Sequence, residues 1–341
     1  LRLCLPPAAE DGRRLHRQTV YTGTWLPFWL RQHELCWRDE RGEVRIGLFG
    51  NSAVYGFPLP AEQTVAEQVN RRFAESETPA HLFNLGYIFT YMLRDIVVID
   101  AALPYDLDVI VYAFTLADMY HSAPAFYPPM LVRFFDTNLD TLAGLIANPP
   151  TGLEEPFGEM RPLLVKTPLL KRWSDRLDQI GIGVRLIATH HAEHIARRLA
   201  IMPPEQQPTT PQRNTTYDCA QTLADNERQL FDWHTWNVLE SLNAIRARTG
   251  TAVLVVNWPV SHEPVGDCYN FRYSNPFANG FNAWMKSETD RLGLPYLDLH
   301  ALLPPERFFD SLHLDADGQD QVAARVFDAL RPLIDARRQA E

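Results

Sequence analysis

Five short apolar runs, separated by helical patterns, constrain the fold more than any other feature of this chain. They cover residues 44–49, 81–85, 108–114, 252–257 and 295–299. Each is strand-sized, and most are rich in β-branched or large apolar residues. A strand with one wet face alternates apolar with polar residues, whereas a strand buried on both faces reads as a nearly continuous apolar run. Helical periodicity falls at 64–73, 92–102, 281–292 and about 315–330. Asp315 or Asp317 is placed to cap the last of these, and Pro332 is expected to kink or end it.

Strands alternating with helices predict an α/β fold, a three-layer α/β/α sandwich around a five-stranded parallel sheet. Sites in such sheets lie at the carboxyl ends of the strands. The interval between the third and fourth strands is too long for one crossover helix. It carries Pro128-Pro129, Pro149-Pro150 and Pro203-Pro204 as breaks, with helical patterns at 186–201 and 224–248. The expected organisation is therefore an N-terminal extension over 1–40, a core formed by 41–118 and 251–341, and a mainly helical insertion over 119–250 covering the catalytic edge. The 341 residues, 46% of them hydrophobic, suffice for a core of that size.

The chemistry lies in two distant segments. Asp310-Ser-Leu-His313 places a carboxylate and an imidazole three residues apart, just past the fifth strand. A serine nucleophile needs a His to accept its proton and an acidic group to hold that imidazole in the right tautomer. Ser52, in Gly50-Asn-Ser52 just past the first strand, lies on the same sheet edge. The α/β-hydrolase elbow G-x-S-x-G is not met, because Val54 stands at the second glycine. That fold also brings its acid and His from separate loops.

The layout resembles the SGNH (GDSL-like) hydrolase superfamily. Gly50-Asn-Ser-Ala-Val-Tyr-Gly56 is similar to its first block, and Asp310-Ser-Leu-His313 matches its last, D-x-x-H. The resemblance covers about residues 43–118 and 251–335. It implies a flavodoxin-like α/β/α sheet, with Ser52 as nucleophile, His313 as general base and Asp310 as orienting acid. Three positions depart from the pattern. Asn51 replaces the usual Asp. In the second block, Gly86 or Phe89 is the candidate oxyanion donor. In the third block, Ala117 of Thr115-Leu-Ala-Asp118 stands where the family has its oxyanion-hole Asn. Asn257, at the end of the fourth strand, is a candidate substitute, and Asp118 reads as a loop brace.

The resulting expectation is a serine esterase or O-acyltransferase acting through an acyl-enzyme on acylated, notably acetylated, glycans or small molecules. It needs no metal or organic cofactor. The alternative is a weakened module that binds a glycan or a partner protein in the old cleft. By analogy with cell-envelope members, the expected location is the periplasm or cell envelope. The first residue is Leu rather than Met, which leaves room for a leader or anchor ahead of it.

Other signals are weaker. His190-His-Ala-Glu-His194 matches H-x-x-E-H, but no distal third ligand is evident, so a solvated histidine cluster is the reading adopted. Trp233, His234 and Trp236 read as packing residues or as a sugar platform, and Tyr269-Asn-Phe-Arg-Tyr273 as a loop or a cleft wall. Cys4, Cys36, Cys219 and Cys268 form no CxxC pair and leave two disulfides or four thiols equally open. Asn214-Thr-Thr216 is a sequon of low specificity. The net charge of −10 and the lack of a basic tract exclude a nucleic-acid surface. No apolar stretch is long enough to span a membrane.

Overall fold

The computed structural model describes residues 42–86, 92–115, 238–261 and 276–339, with isolated positions at 30, 118, 143, 144, 146–149 and 158. The N-terminal extension and the insertion fall almost wholly outside these residues. So do the four cysteines, the sequon, the His190–His194 motif, Trp233, His234 and Trp236, and the 269–273 segment.

Five strands form one parallel sheet: β1 (Val44–Gly50), β2 (Ala80–Asn84), β3 (Val109–Phe114), β4 (Ala252–Asn257) and β5 (Tyr296–Asp298). Their order is β2-β1-β3-β4-β5. The expected fold is the observed one, with strand ends shifted by a residue or so. The order reverses at β1, whose neighbours β2 and β3 follow it on opposite sides. That reversal opens a crevice at the carboxyl ends of β1 and β3, where α/β sheets bind their ligands.

The α-helices among the described residues are α1 (Ser52–Tyr55), α2 (Val65–Glu75), α3 (Met92–Ala102), α4 (Val238–Thr249), α5 (Pro276–Leu292) and α6 (Ala316–Gln339). Alternate strand residues face opposite layers. Ile46, Leu48, Val111, Ala113, Leu254 and Val256 pack with Val69 and Phe73 of α2 and with Val322, Val326 and Leu330 of α6. Phe49, Ile110, Tyr112, Phe114, Val253 and Val255 pack with Ile96 and Ile99 of α3, Leu242 of α4 and Phe281 and Met285 of α5. Burial on both faces is why β1, β3 and β4 read as nearly continuous apolar runs, interrupted only at Arg45 and Asn257.

Of the two outcomes expected at Pro332, a kink or an end, the end does not occur. The last helix does not end at Pro332 but runs through it to Gln339. Pro332 removes one N–H and so deprives the Asp328 carbonyl of its partner. Both residues are exposed, so water can serve that carbonyl. Buried Ile334 and the ion pair from Arg337 Nε to Asp108 Oδ1, at 2.9 Å, hold the turns beyond it. Of the two capping candidates, Asp315 caps α6: its Oδ1 accepts from Gly318 N at 2.7 Å.

Candidate active site

The site begins where β1 turns sharply. Gly50 has φ +152°, and a Cβ there would lie 2.2 Å from the Ala113 carbonyl oxygen of β3 and 2.7 Å from Val54 Cγ2. Only glycine fits, so the chain bends over the end of β3 directly into α1. Asn51 is the N-cap. Its Oδ1 accepts from Ala53 N at 2.9 Å, satisfying a helix-terminal donor. Its Nδ2 donates to both carboxylate oxygens of buried Asp118, each at 3.0 Å. Asp118 also accepts from Thr115 N at 2.8 Å and Thr115 Oγ1 at 3.2 Å. It is therefore the loop brace the sequence suggested, tying the β1 and β3 ends together beneath Ser52.

His313 and Asp310 stand on a short clasp. Phe308 and Leu314 form an antiparallel bridge, and Phe309 N donates to the His313 carbonyl at 2.7 Å. Ser261 N donates to the Ser311 carbonyl at 2.9 Å, anchoring the clasp to the segment after β4. The clasp brings His313 Nε2 to 2.8 Å from Ser52 Oγ, and His313 Nδ1 to 2.6 Å from Asp310 Oδ2. Asp310 Oδ1 accepts from Leu312 N and His313 N, both at 2.8 Å. Burial pushes the Asp310 carboxyl up. The hydrogen bond and charge of His313 and the two backbone donors outweigh that and hold it below the usual carboxylate value. An ionised carboxylate can only accept, so Nδ1 carries the proton and Nε2 is left to accept from the serine hydroxyl.

Two oxyanion candidates are described. Gly86 lies against α1, where a Cβ would sit 2.7 Å from Tyr55 N. Its own N–H donates to Asn84 Oδ1 at 3.2 Å, and Asn84 Nδ2 donates to the Tyr55 carbonyl at 3.1 Å. Asn84 thus clips the loop after β2 to the end of α1. Asn257 does not reach toward Ser52 through its amide. Its Nδ2 donates to Asn282 Oδ1 at 2.8 Å and to Asp298 Oδ1 at 3.1 Å, holding β4 to α5 and β5. Phe89 and Ala117 lie outside the described residues. Among those residues, no cluster of His, Cys, Asp or Glu could hold a metal, and no helix is long and apolar enough to cross a membrane.

Sequence reasoning passed over four further residues. Gln319, fully buried in α6, accepts from Val65 N at 2.9 Å and donates to the Ala53 carbonyl at 3.5 Å, bracing α1 from the far end of the chain. Its polarity in an apolar helix stripe was the available signal. Phe57 places its ring edge-on to the His313 imidazole, with centroids 5.4 Å apart. Nothing in the sequence around it marks that contact. A second imidazole–carboxylate pair, His300 Nδ1 and Asp298 Oδ1 at 2.7 Å, stands at the end of β5, three strands from β1.

No family model matches the sequence, and no curated protein matches it. Solved structures similar to the chain include a member of the lipolytic G-D-S-L family from Veillonella parvula, at 8% identity and a TM-score of 0.38, covering 83% of this chain and 96% of that one. An α/β hydrolase enzyme from the metagenome of Lake Arreo aligns at 11% identity and a TM-score of 0.40, over 88% and 99%. A carbohydrate acetylesterase from Sinorhizobium meliloti aligns at 11% identity and a TM-score of 0.40, over 85% of this chain and all of its own.

Proposed function

We propose that the chain is an SGNH-type serine hydrolase of carboxylic esters, with Ser52 as nucleophile, His313 as base and Asp310 as orienting acid. The observation that carries this reading is the unbroken hydrogen-bond line from Ser52 Oγ through His313 to Asp310, at 2.8 and 2.6 Å. Both spans lie within the reach that proton transfer needs. The Ser52 hydroxyl passes its proton to Nε2 as Oγ bonds to the ester carbonyl carbon. The tetrahedral intermediate then collapses: the ester C–O bond breaks, and Nε2 returns the proton to the departing alkoxide. Water, or an acceptor hydroxyl, next gives its proton to Nε2 and attacks the acyl-serine. Ser52 leaves and regains the proton.

The oxyanion donor argued for is the Ser52 N–H. As the first residue of α1 it has no carbonyl four residues back within the helix. A partner from the loop after β2 is the second donor in this reading, with Phe89 its candidate. On the substrate side the proposal is an acetylated or otherwise acylated glycan. Esterase and O-acyltransferase share every step but the last, and so share this geometry.

Ser52→Ala is expected to remove fluorophosphonate labelling and to lower p-nitrophenyl acetate hydrolysis by about 10⁴-fold or more. A folded wild-type chain that never labels would instead favour a binding module. Adding an oligosaccharide to the ester assay separates the two enzyme readings: transfer predicts acylated sugar in the product, and hydrolysis predicts acetate alone.

A further inference from the structure

We infer that Phe57 forms the wall of the alcohol-side subsite, the surface against which the leaving group, or an acceptor sugar, lies. The inference rests on the serine-hydrolase reading above and adds to it which part of the substrate this chain selects. Among the described residues Phe57 is the only exposed large hydrophobic side chain, at 40%. An isolated exposed aromatic needs no explanation in general. This one stands beside the base of the triad, its ring edge-on to His313 with an interplanar angle of 70°. Its backbone is tied to the nucleophile itself, because Phe57 N donates to the Ser52 carbonyl at 3.1 Å. The backbone carrying the ring is therefore held to Ser52, and the ring itself stands against His313.

Stereochemistry then says which side of the substrate meets it. The departing oxygen must lie within hydrogen-bond reach of His313 Nε2 to receive its proton. The carbonyl oxygen must point away from the imidazole, toward backbone donors at the start of α1. The group carried by the alcohol oxygen therefore runs out past the imidazole, where Phe57 stands, and the acyl chain takes the remaining direction. An accepting hydroxyl enters by the path the leaving alcohol took, since the two steps are mirror images of one reaction. A flat exposed aromatic face suits the C–H face of a pyranose ring, and a small alkyl alcohol is too short to cover it.

The test compares two acetate esters of similar leaving-group acidity, an O-acetylated methyl pyranoside and 2-methoxyethyl acetate, in wild type, Phe57→Ala, Phe57→Leu and Phe57→Trp. Phe57→Ala and Phe57→Leu should lower kcat/KM on the sugar ester by about fivefold to tenfold, the effect of losing one aromatic contact. The loss on 2-methoxyethyl acetate, where only the ring contact to His313 is removed, should be severalfold smaller than on the sugar ester. Phe57→Trp should keep the sugar preference. The ranking of p-nitrophenyl acetate, butyrate and hexanoate should not move. An equal loss on both acetates, or a changed acyl-length ranking, overturns the inference. Fluorophosphonate labelling separates the two levels. If Ser52 labels in wild type and in Phe57→Ala while sugar preference is unchanged, only the subsite is wrong. If wild type does not label, the hydrolase reading fails.

Discussion

Asn51 is held from both ends: its carbonyl oxygen caps α1, and its amide nitrogen spans the two oxygens of Asp118. An Asp at this position would set two carboxylates about 3 Å apart in a buried place, where both cannot ionise. Asn51→Asp is therefore expected to destabilise the fold by about 2–4 kcal/mol at pH 8, and by less at pH 5, where one of the pair takes a proton. Urea denaturation at the two pH values reads this directly. Combining it with Asp118→Asn restores one carboxylate facing one amide and should recover most of the loss. Equal stability of the single variant and wild type at pH 8 would mean that this contact does not hold the turn. Asp310→Asn is expected to lower kcat by about 10³–10⁴-fold with labelling of Ser52 slowed alike, because an amide can present its donor to Nδ1 and favour the wrong tautomer. At this scale the sequence was legible where chemistry is local. Ser52, Asp310 and His313 stood out by type and spacing, and Asp118 by its place in the loop after the third strand. Phe57 and Gln319 did not, since their contacts lie across 256 and 266 positions, and no local pattern encodes a partner that far away.

The elements differ in how closely their ends follow from sequence. β1, β3 and β4 were readable to within a residue because burial on both sides leaves their positions almost wholly apolar, Arg45 and Asn257 being the exceptions. α5 starts at Pro276, five positions before its periodicity becomes visible, as suits a proline in the first turn. α6 was under-read because the rule against proline in helices is local, whereas the forces on residues 333–339 come from the sheet. Pro332→Ala should add about 1–3 kcal/mol to stability by restoring a backbone hydrogen bond without disturbing buried Ile334. A lowered urea midpoint would show that the proline shapes the last turns rather than merely being tolerated. Gly50→Ala should act in the opposite direction. Its Cβ would collide with the β3 backbone, and a loss of about 2–4 kcal/mol with near-abolished ester hydrolysis is expected. Full activity in that variant would mean that the turn into α1 is looser than its contacts imply.

Across the whole molecule, one buried group sets a pH dependence. Asp95 on α3 lies in the core, where burial pushes its carboxyl up to about 8. Arg94 and the hydrogen bond from Tyr112 pull it down, and the Asp118 charge adds to the rise. In the unfolded chain an Asp titrates near 4. Between about pH 4 and pH 8 the folded chain therefore keeps a proton that the unfolded chain has lost. Stability should fall as pH rises through that window and level off above it. Asp95→Asn, which imitates the protonated carboxyl, should raise the Tm at pH 8 relative to wild type, with little change near pH 4. Parallel Tm profiles for the two chains would place the proton elsewhere. The sheet order itself was foreseeable only through family resemblance, because apolar runs identify strands without saying which are neighbours.

The 261 positions between Ser52 and His313 give the molecule an order of events during its own synthesis. The serine, its glycine turn and β1 leave the ribosome early, but the imidazole and carboxylate that would activate it are made only after β5. Under the proposed mechanism, a nascent chain ending before residue 310 would carry Ser52 with no base, inert toward any ester it meets. On that reading, reactivity is deferred until the sheet that must hold it has been assembled.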